Sequence, residues 1–142
     1  MIKEESIGFT GTRDGMTINQ RTVFSNLIEE LQPIRFRHGD CIGADAEAHY
    51  IISKTECYIH IHPPEICKFR AFCQKGVVHD EKEYIERNHD IVDASNTLIA
   101  CPKEMTEPKQ KKGGDTWATI RYARKQRDTK TIVILPDGTI IN

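Results

Sequence analysis

The stretch Ser6-Ile-Gly-Phe-Thr-Gly-Thr-Arg-Asp-Gly15, together with the periodic run that starts at Thr17, decides the fold. A short apolar segment closing on a glycine-containing turn reads as a buried strand. Directly after it, Ile18, Val23, Phe24, Leu27, Ile28 and Leu31 recur with helical spacing. Thr17 is the expected N-cap, Gln20 its capping-box partner and Pro33 the stop. The alternation then repeats. Ile34-Arg-Phe-Arg-His38 alternates like a strand and ends in Gly39-Asp-Cys-Ile-Gly43. Residues 44–54 form a small-residue helix, and Cys57-Tyr-Ile-His-Ile61 a strand stopped by Pro63 and Pro64. Residues 65–80 lack a clear period and read as a loop with a turn of helix. A helix over 82–94 carries Tyr84, Ile85, Ile91 and Val92 on its apolar side. The strand Asn96-Thr-Leu-Ile-Ala-Cys101 ends at Pro102, a lysine-bearing polar loop follows, and a helix over 116–127 leads into the strand Thr131-Ile-Val-Ile-Leu135. Strands separated by helices of about a dozen residues give repeated βαβ units and a parallel sheet. The expected fold is α/β, a Rossmann-like three-layer sandwich with a mostly parallel sheet of about five strands, their continuous apolar character placing them between two helical layers.

A chain of 142 residues predicts a single domain, 1–142. With 20 Lys and Arg against 21 Asp and Glu, the net charge is −1. That excludes a generally basic nucleic-acid coat protein but not a local basic patch. No apolar run approaches the roughly 20 residues of a membrane span, and the start MIKEES has no apolar signal region, so a cytoplasmic protein without membrane contact is expected. The five cysteines, Cys41, Cys57, Cys67, Cys73 and Cys101, are an odd number with no Cys-x-x-Cys pair and read as reduced thiols. His60, His62, Cys67, Cys73 and His79 are a spread-out set whose spacings match no zinc knuckle. Packing is preferred there over a metal.

Ligands of open parallel sheets lie beyond the carboxyl ends of the strands, near the reversal of strand order. Three glycine-containing turns fall there: Gly11, Thr12 and Arg13; Gly39, Asp40, Gly43, Ala44 and Asp45; and Gly113, Gly114, Asp115 and Thr116. Free N–H groups and the positive dipole end of a helix favour phosphate, glycine lets the backbone approach it, and Arg13 or Arg87 would add a clamp. No G-x-G-x-x-G or Walker lysine is present, which argues against a standard dinucleotide fold or P-loop NTPase. Trp117, beside the double glycine, either stacks on a base or packs its helix against the sheet. Lys109, Lys111 and Lys112, with Arg121, Arg124 and Arg127, form a modest basic stripe. At net charge −1 this supports no tight non-specific DNA binding.

Gly8-Phe-Thr-Gly-Thr-Arg13, the string Gly39, Gly43, Ala44, Asp45, Ala48 and His49, then Glu86-Arg-Asn88, Leu98-Ile-Ala-Cys-Pro102 and Gly113-Gly-Asp-Thr-Trp117 occur in the order of the SLOG superfamily. The chain resembles that group, which includes the Lonely Guy phosphoribohydrolases and the DNA-processing protein A family, and is most similar to its small stand-alone YspA/YpsA-related members. The resemblance implies a nucleotide or ADP-ribose-like ligand, phosphate-binding turns and a homodimer. In the phosphoribohydrolases an arginine and a glutamate do the chemistry; the arginine matches Arg87, with Asn88 beside it, but the glutamate position holds Thr119. Asp45 and Asp115 are the available substitute carboxylates. The expected function is therefore binding of a nucleotide-derived ligand, as sensor or sequestering protein, with no cofactor. N-glycosidic hydrolysis through Arg87, Asp45 and Asp115 is one alternative and nucleic-acid binding another.

Overall fold

The computed structural model describes residues 5–109 and 115–142. Strand β1 (Ser6–Gly11) leads through the first glycine turn to helix α1 (Ile18–Leu31). The expected capping box is formed: Thr17 Oγ1 accepts from the Gln20 N–H, and Gln20 Oε1 accepts from the Thr17 N–H. The amide of Gln20 also donates to the carbonyls of Pro102 and Ile134, each at 2.9 Å, so one buried side chain ties α1 to the ends of two strands. Next come β2 (Arg35–His38), α2 (Ala44–Ser53), β3 (Tyr58–Ile61), a short 3-10 turn at Cys67–Phe69 and β4 (Val77–Val78). Helix α3 (Tyr84–Asp93), β5 (Thr97–Cys101), α4 (Asp115–Arg124), β6 (Lys130–Ile134) and β7 (Ile140–Ile141) complete the order.

One sheet results, ordered β4-β3-β2-β1-β5-β6-β7. All pairs are parallel except β6 with β7. The expected α/β class and parallel sheet hold, but the sheet has seven strands rather than about five. Both extra strands are two-residue edges, too short for their period to show in sequence: β4 lies inside the stretch read as loop, and β7 is the far arm of a hairpin whose turn has Gly138 at φ +91°.

Helices α1 and α2 cover one face of the sheet. Phe9, Phe24 and Phe36 meet there with ring centroids 5.3–5.9 Å apart, surrounded by Ile7, Ile52, Ile61 and Ile134. The other face carries α3 and α4, through Trp117, Ile120, Val133 and Leu135 and through Val92, Leu98 and Ala123. Ile18 and Ile85, read as members of apolar helix faces, are exposed, and both lie in the first turn of their helix. No helix among the described residues is long and apolar enough to cross a membrane.

The chain runs outward from β1 through β2, β3 and β4, then returns to the other side of β1 as β5. The reversal puts the crevice of an open α/β sheet at the carboxyl ends of β1 and β5.

Candidate functional site

A cavity of about 350 Å³ lies at that reversal. Its wall is built from the turn after β1 (Gly11, Thr12, Arg13, Asp14), the turn after β2 (Gly39, Cys41, Asp45), α3 (Tyr84, Arg87, Asn88), the segment after β5 (Lys103, Glu104) and the start of α4 (Thr116, Trp117). Of the residues expected to bind, Gly11, Thr12, Arg13, Gly39, Asp45, Arg87, Asn88, Thr116 and Trp117 are thus brought together. Gly113 and Gly114 lie outside the described residues, as do Lys111 and Lys112, and Asp115 is the first residue of α4.

Asp40, Gly43 and Ala44 do not line the cavity, and their local geometry shows why. Asp40 is fully buried and turned away: its carboxylate accepts from Arg70 Nε at 2.7 Å and from the Cys73 N–H at 2.9 Å, holding the segment after β3. Gly43, at φ +88°, packs so closely on the backbone of Arg13 that a side chain there would overlap it. The Ala44 N–H donates to the Thr12 carbonyl at 3.0 Å. Thr12 also receives the Asp14 N–H on its hydroxyl and donates its own N–H to the Cys101 carbonyl, each at 3.1 Å. The first two turns are therefore locked to each other.

Asp45 changes what the second turn can do. Its Oδ2 accepts from the N–H groups of Gly39 (3.1 Å) and Cys41 (3.3 Å), so these donors, expected to cradle phosphate, already hold a carboxylate of the chain itself. Its Oδ1, equally buried, has no hydrogen-bond partner. Burial lifts the Asp45 carboxyl from 3.8 to about 6, even though the Arg87 charge and the two N–H donors pull it down.

Arg87 is the second buried ionic group, 3% exposed. Its Nη1 donates to the carbonyls of Gly39 and, at 3.3 Å, His62. Its plane sits 4.8 Å from the Tyr84 ring centroid, and Nη2 is 3.9 Å from Cys41 Sγ. Nε has no partner. Among the described residues no carboxylate comes within ion-pair distance of it. The Cys41 thiol is pushed up by burial and by Asp45, so it stays protonated at neutral pH.

At the mouth, Lys103 pairs with Asp14 at 3.2 Å in solvent, and Arg13 stacks 4.0 Å from the Phe69 ring. Trp117 is 3% exposed within the α4 core, and its indole N–H donates to Glu104 at 3.0 Å. Thr119, where the resemblance would place a glutamate, is buried and outside the cavity wall. Sequence reasoning did not single out Tyr84, Lys103 or Glu104. Tyr84 had a usable signal, standing three residues before Arg87 on one helix face.

The histidine and cysteine set divides differently from the sequence grouping. Cys67 is exposed. His60, His62 and His79 cluster with Arg35 and Arg37: His60 Nδ1 lies 2.9 Å from His79 Nε2, and His62 stacks on His79 at 4.2 Å. Cys73 instead joins His38 and His49, with ligand-type atoms within 4.8 Å of one another. Hydrogen bonds account for that trio. The Asp40 N–H donates to His38 Nδ1, so His38 carries its proton on Nε2 and gives it to His49 Nδ1 at 2.9 Å, while His49 Nε2 donates to the Gln74 carbonyl at 2.6 Å. A metal on His38 Nε2 would displace this chain. On the far side of α4, Arg121 and Arg124 are paired with Glu107 at 3.0 and 3.9 Å, which reduces the basic stripe.

The fold recurs in a known structure. The chain is similar to the molybdenum cofactor binding protein from the phototrophic bacterium Rippkaea orientalis, with a TM-score of 0.67 and 18% sequence identity over 95% of this chain and 77% of that one. At this identity the likeness concerns the fold. No family model matches the sequence, and no curated protein matches it.

Proposed function

We propose that this chain binds a small phosphate-bearing molecule, nucleotide or nucleotide-derived, in the crevice at the carboxyl ends of β1 and β5, as a sensor or sequestering protein. The observation that carries the reading is Arg87: a buried guanidinium at the cavity wall, with Nε unpartnered and, among the described residues, no carboxylate within ion-pair distance. A buried charge in that condition costs several kcal/mol unless an anion reaches it. Arg13 and Lys103 at the mouth and the opening of α4 at Thr116 add positive potential to the same cavity. The resemblance to the SLOG superfamily points to nucleotides, and the structural neighbour is described as a molybdenum cofactor binding protein.

The test is a thermal-shift and calorimetric screen with AMP, GMP, ADP-ribose, NAD and cyclic nucleotides, each incubation then checked by chromatography. A ligand at about 100 times its Kd should stabilise the protein by about 2.7 kcal/mol. Arg13→Ala and Lys103→Ala, both at exposed positions, should each weaken binding about 3- to 10-fold with the fold intact. Unchanged affinity in both would place the site elsewhere. One observation favours N-glycosidic hydrolysis as a second reading: one oxygen of the Asp45 carboxylate, Oδ1, has no partner, and burial raises this carboxyl to about 6. Free base in the incubations, abolished by Asp45→Asn, would establish it; intact ligand would leave binding alone.

A further inference from the structure

The sheet face away from α1 and α2 is only partly covered. Helices α3 and α4 pack there on β1, β5 and β6, and the strip over β2 and β3 beside them is polar. Arg37 is in register with His60, and alternation along the strands sets Arg35 and His62 on the same side, opposite Phe36 and Ile59 in the core. His79, just after β4, closes the strip, and a groove of about 460 Å³ lies between it and α3. A guanidinium N–H only donates, which fixes the imidazole protons. Arg35 Nη1 donates to His60 Nε2 at 3.1 Å, so His60 carries its proton on Nδ1 and gives it to His79 Nε2 at 2.9 Å. Arg37 Nη1 donates to His62 Nε2 at 3.3 Å, and its Nε to Ser6 Oγ. Neutral His62 and His79 therefore both carry their proton on Nδ1. Among the described residues nothing accepts from His62 Nδ1, His79 Nδ1 or Arg37 Nη2, and no carboxylate lies within ion-pair distance of Arg37. His62 Nδ1 is also open to solvent, since the sealed unpartnered atoms are Asp45 Oδ1 and Arg87 Nε. The acids from the facing elements are engaged or outside: Lys82 holds Asp90 at 2.7 Å and Glu86 at 3.7 Å, the Tyr122 hydroxyl donates to Asp93 at 2.7 Å, and Asp80 is exposed. Arg87 Nη1, at the inner end, is held on backbone carbonyls.

We propose that this groove is a second ligand site, for a small dianionic oxyanion such as sulfate or a phosphate group, held by Arg37, His62 and His79 and taken up together with a proton. It is separate from the crevice and does not depend on what the crevice binds. Three N–H donors from three segments suit a ligand with several acceptor oxygens, whereas a metal cation would meet two arginines. Burial and the neighbouring Arg35 both work against the Arg37 charge, and an anion beside it relieves both. In the empty groove, burial first and the neighbouring cations and histidines next hold His62 at about 3 and His60 at about 4 and lower His79. An oxyanion reverses that balance, so a histidine gains a proton as the anion enters. Arg37 and one protonated histidine then match two negative charges.

The experiment is calorimetric titration of the full chain with sodium sulfate at pH 6.0 and 7.5, at constant ionic strength and in buffers of different ionisation heat. Sulfate keeps both charges over this range, so any pH dependence belongs to the protein. Affinity should be at least about fivefold higher at pH 6.0, with net proton uptake, and the imidazole resonances of His62 or His79 should move toward the protonated form on binding. Arg37→Gln and His79→Ala should each weaken sulfate binding about tenfold, the usual effect of losing a hydrogen bond to a charged group. Arg13→Ala and Lys103→Ala, at the crevice, should leave it unchanged. Inorganic phosphate and glycerol 1-phosphate titrated in parallel separate the sources: tighter binding of the ester supports a phosphate monoester, and equal or weaker binding supports the free ion. No saturable sulfate binding at pH 6.0, or binding without proton uptake, would overturn the proposal. Sulfate binding lost in the crevice variants but kept in Arg37→Gln would overturn it too, by placing the anion in the crevice. The proton count and the histidine resonances come from the unaltered chain, so they decide the matter even where a variant does not fold.

Discussion

Arg87 and Gly39 share one volume: Nη1 of the arginine on α3 donates to the glycine carbonyl in the turn after β2, and a side chain at residue 39 would overlap the guanidinium. The glycine is thus required by a side chain 48 residues away rather than by an unusual backbone angle. The same contact holds Nη1 on protein carbonyls, while Nε is left buried without a partner.

Gly39→Ala should therefore displace Arg87 and loosen the floor of the cavity. Overpacking of this kind costs about 1–3 kcal/mol, and the loss of a charge-assisted hydrogen bond adds to it. Equilibrium urea unfolding should show a lower midpoint with an unchanged slope, and affinity for any nucleotide found in the screen should fall in parallel. A folded variant with unaltered midpoint would mean that Arg87 has room to move aside.

The layers were legible because each long element carries its own period: the capped run from Thr17 and the apolar strands around Ile99 and Val133 read correctly to within a few residues. The glycine turns also pointed to the end of the sheet where the cavity lies. What they could not reveal is who occupies them. Gly39, Gly43 and Ala44 looked like a phosphate cradle, but the N–H groups of Gly39 and Cys41 hold Asp45, that of Ala44 holds Thr12, and Gly43 makes room for Arg13. The same spacing serves an internal carboxylate as well as an external phosphate. Pairing partners such as His38 with His49, or Cys73 with Asp40, depend on how separate elements pack, and no local pattern encodes them.

Trp117 is the sole tryptophan of the chain and lies at the cavity wall, with its N–H on Glu104. Its emission should shift when a ligand enters, giving a direct titration signal. Trp117→Phe should cost about 1–3 kcal/mol, combining a lost hydrogen bond with lost packing against Ile120 and Val133. Invariant emission at saturating ligand would separate the bound molecule from α4.

Acid should weaken this protein early. Burial holds His38 and His62 at about 3 and His60 at about 4, while the unfolded chain protonates them near 6.5. A base with a depressed folded value contributes stability above the unfolded value, and loses it as pH falls from about 6.5 toward the folded one. His38 and His62 each contribute up to about 1.4 kcal/mol per pH unit in that window, with His60 acting in the same direction. The Tm should drop steeply between pH 6.5 and 5, and His62→Gln should flatten the curve. A Tm independent of pH over that range would show that the histidines are not kept neutral.

Asp45 works with the opposite sign. Its folded value, about 6, lies above the 3.8 of an ordinary aspartate because burial disfavours the charge more than Arg87 and two N–H donors favour it. A raised acid holds its proton in the folded state after the unfolded chain has released it, so stability is fully present below about 4 and is lost as pH rises through about 6. The ionised carboxylate then burdens the fold by at most about 3 kcal/mol at pH 7.5. Asp45→Asn keeps an acceptor for Gly39 and Cys41 and removes the charge. The variant should be more stable than the unaltered protein at pH 7.5, and the difference should vanish by pH 4. Measured as paired melting curves across that range, a gain that persisted at pH 4 would assign the effect to packing, and a loss at pH 7.5 would mean that the Asp45 charge is needed to hold Arg87 in place.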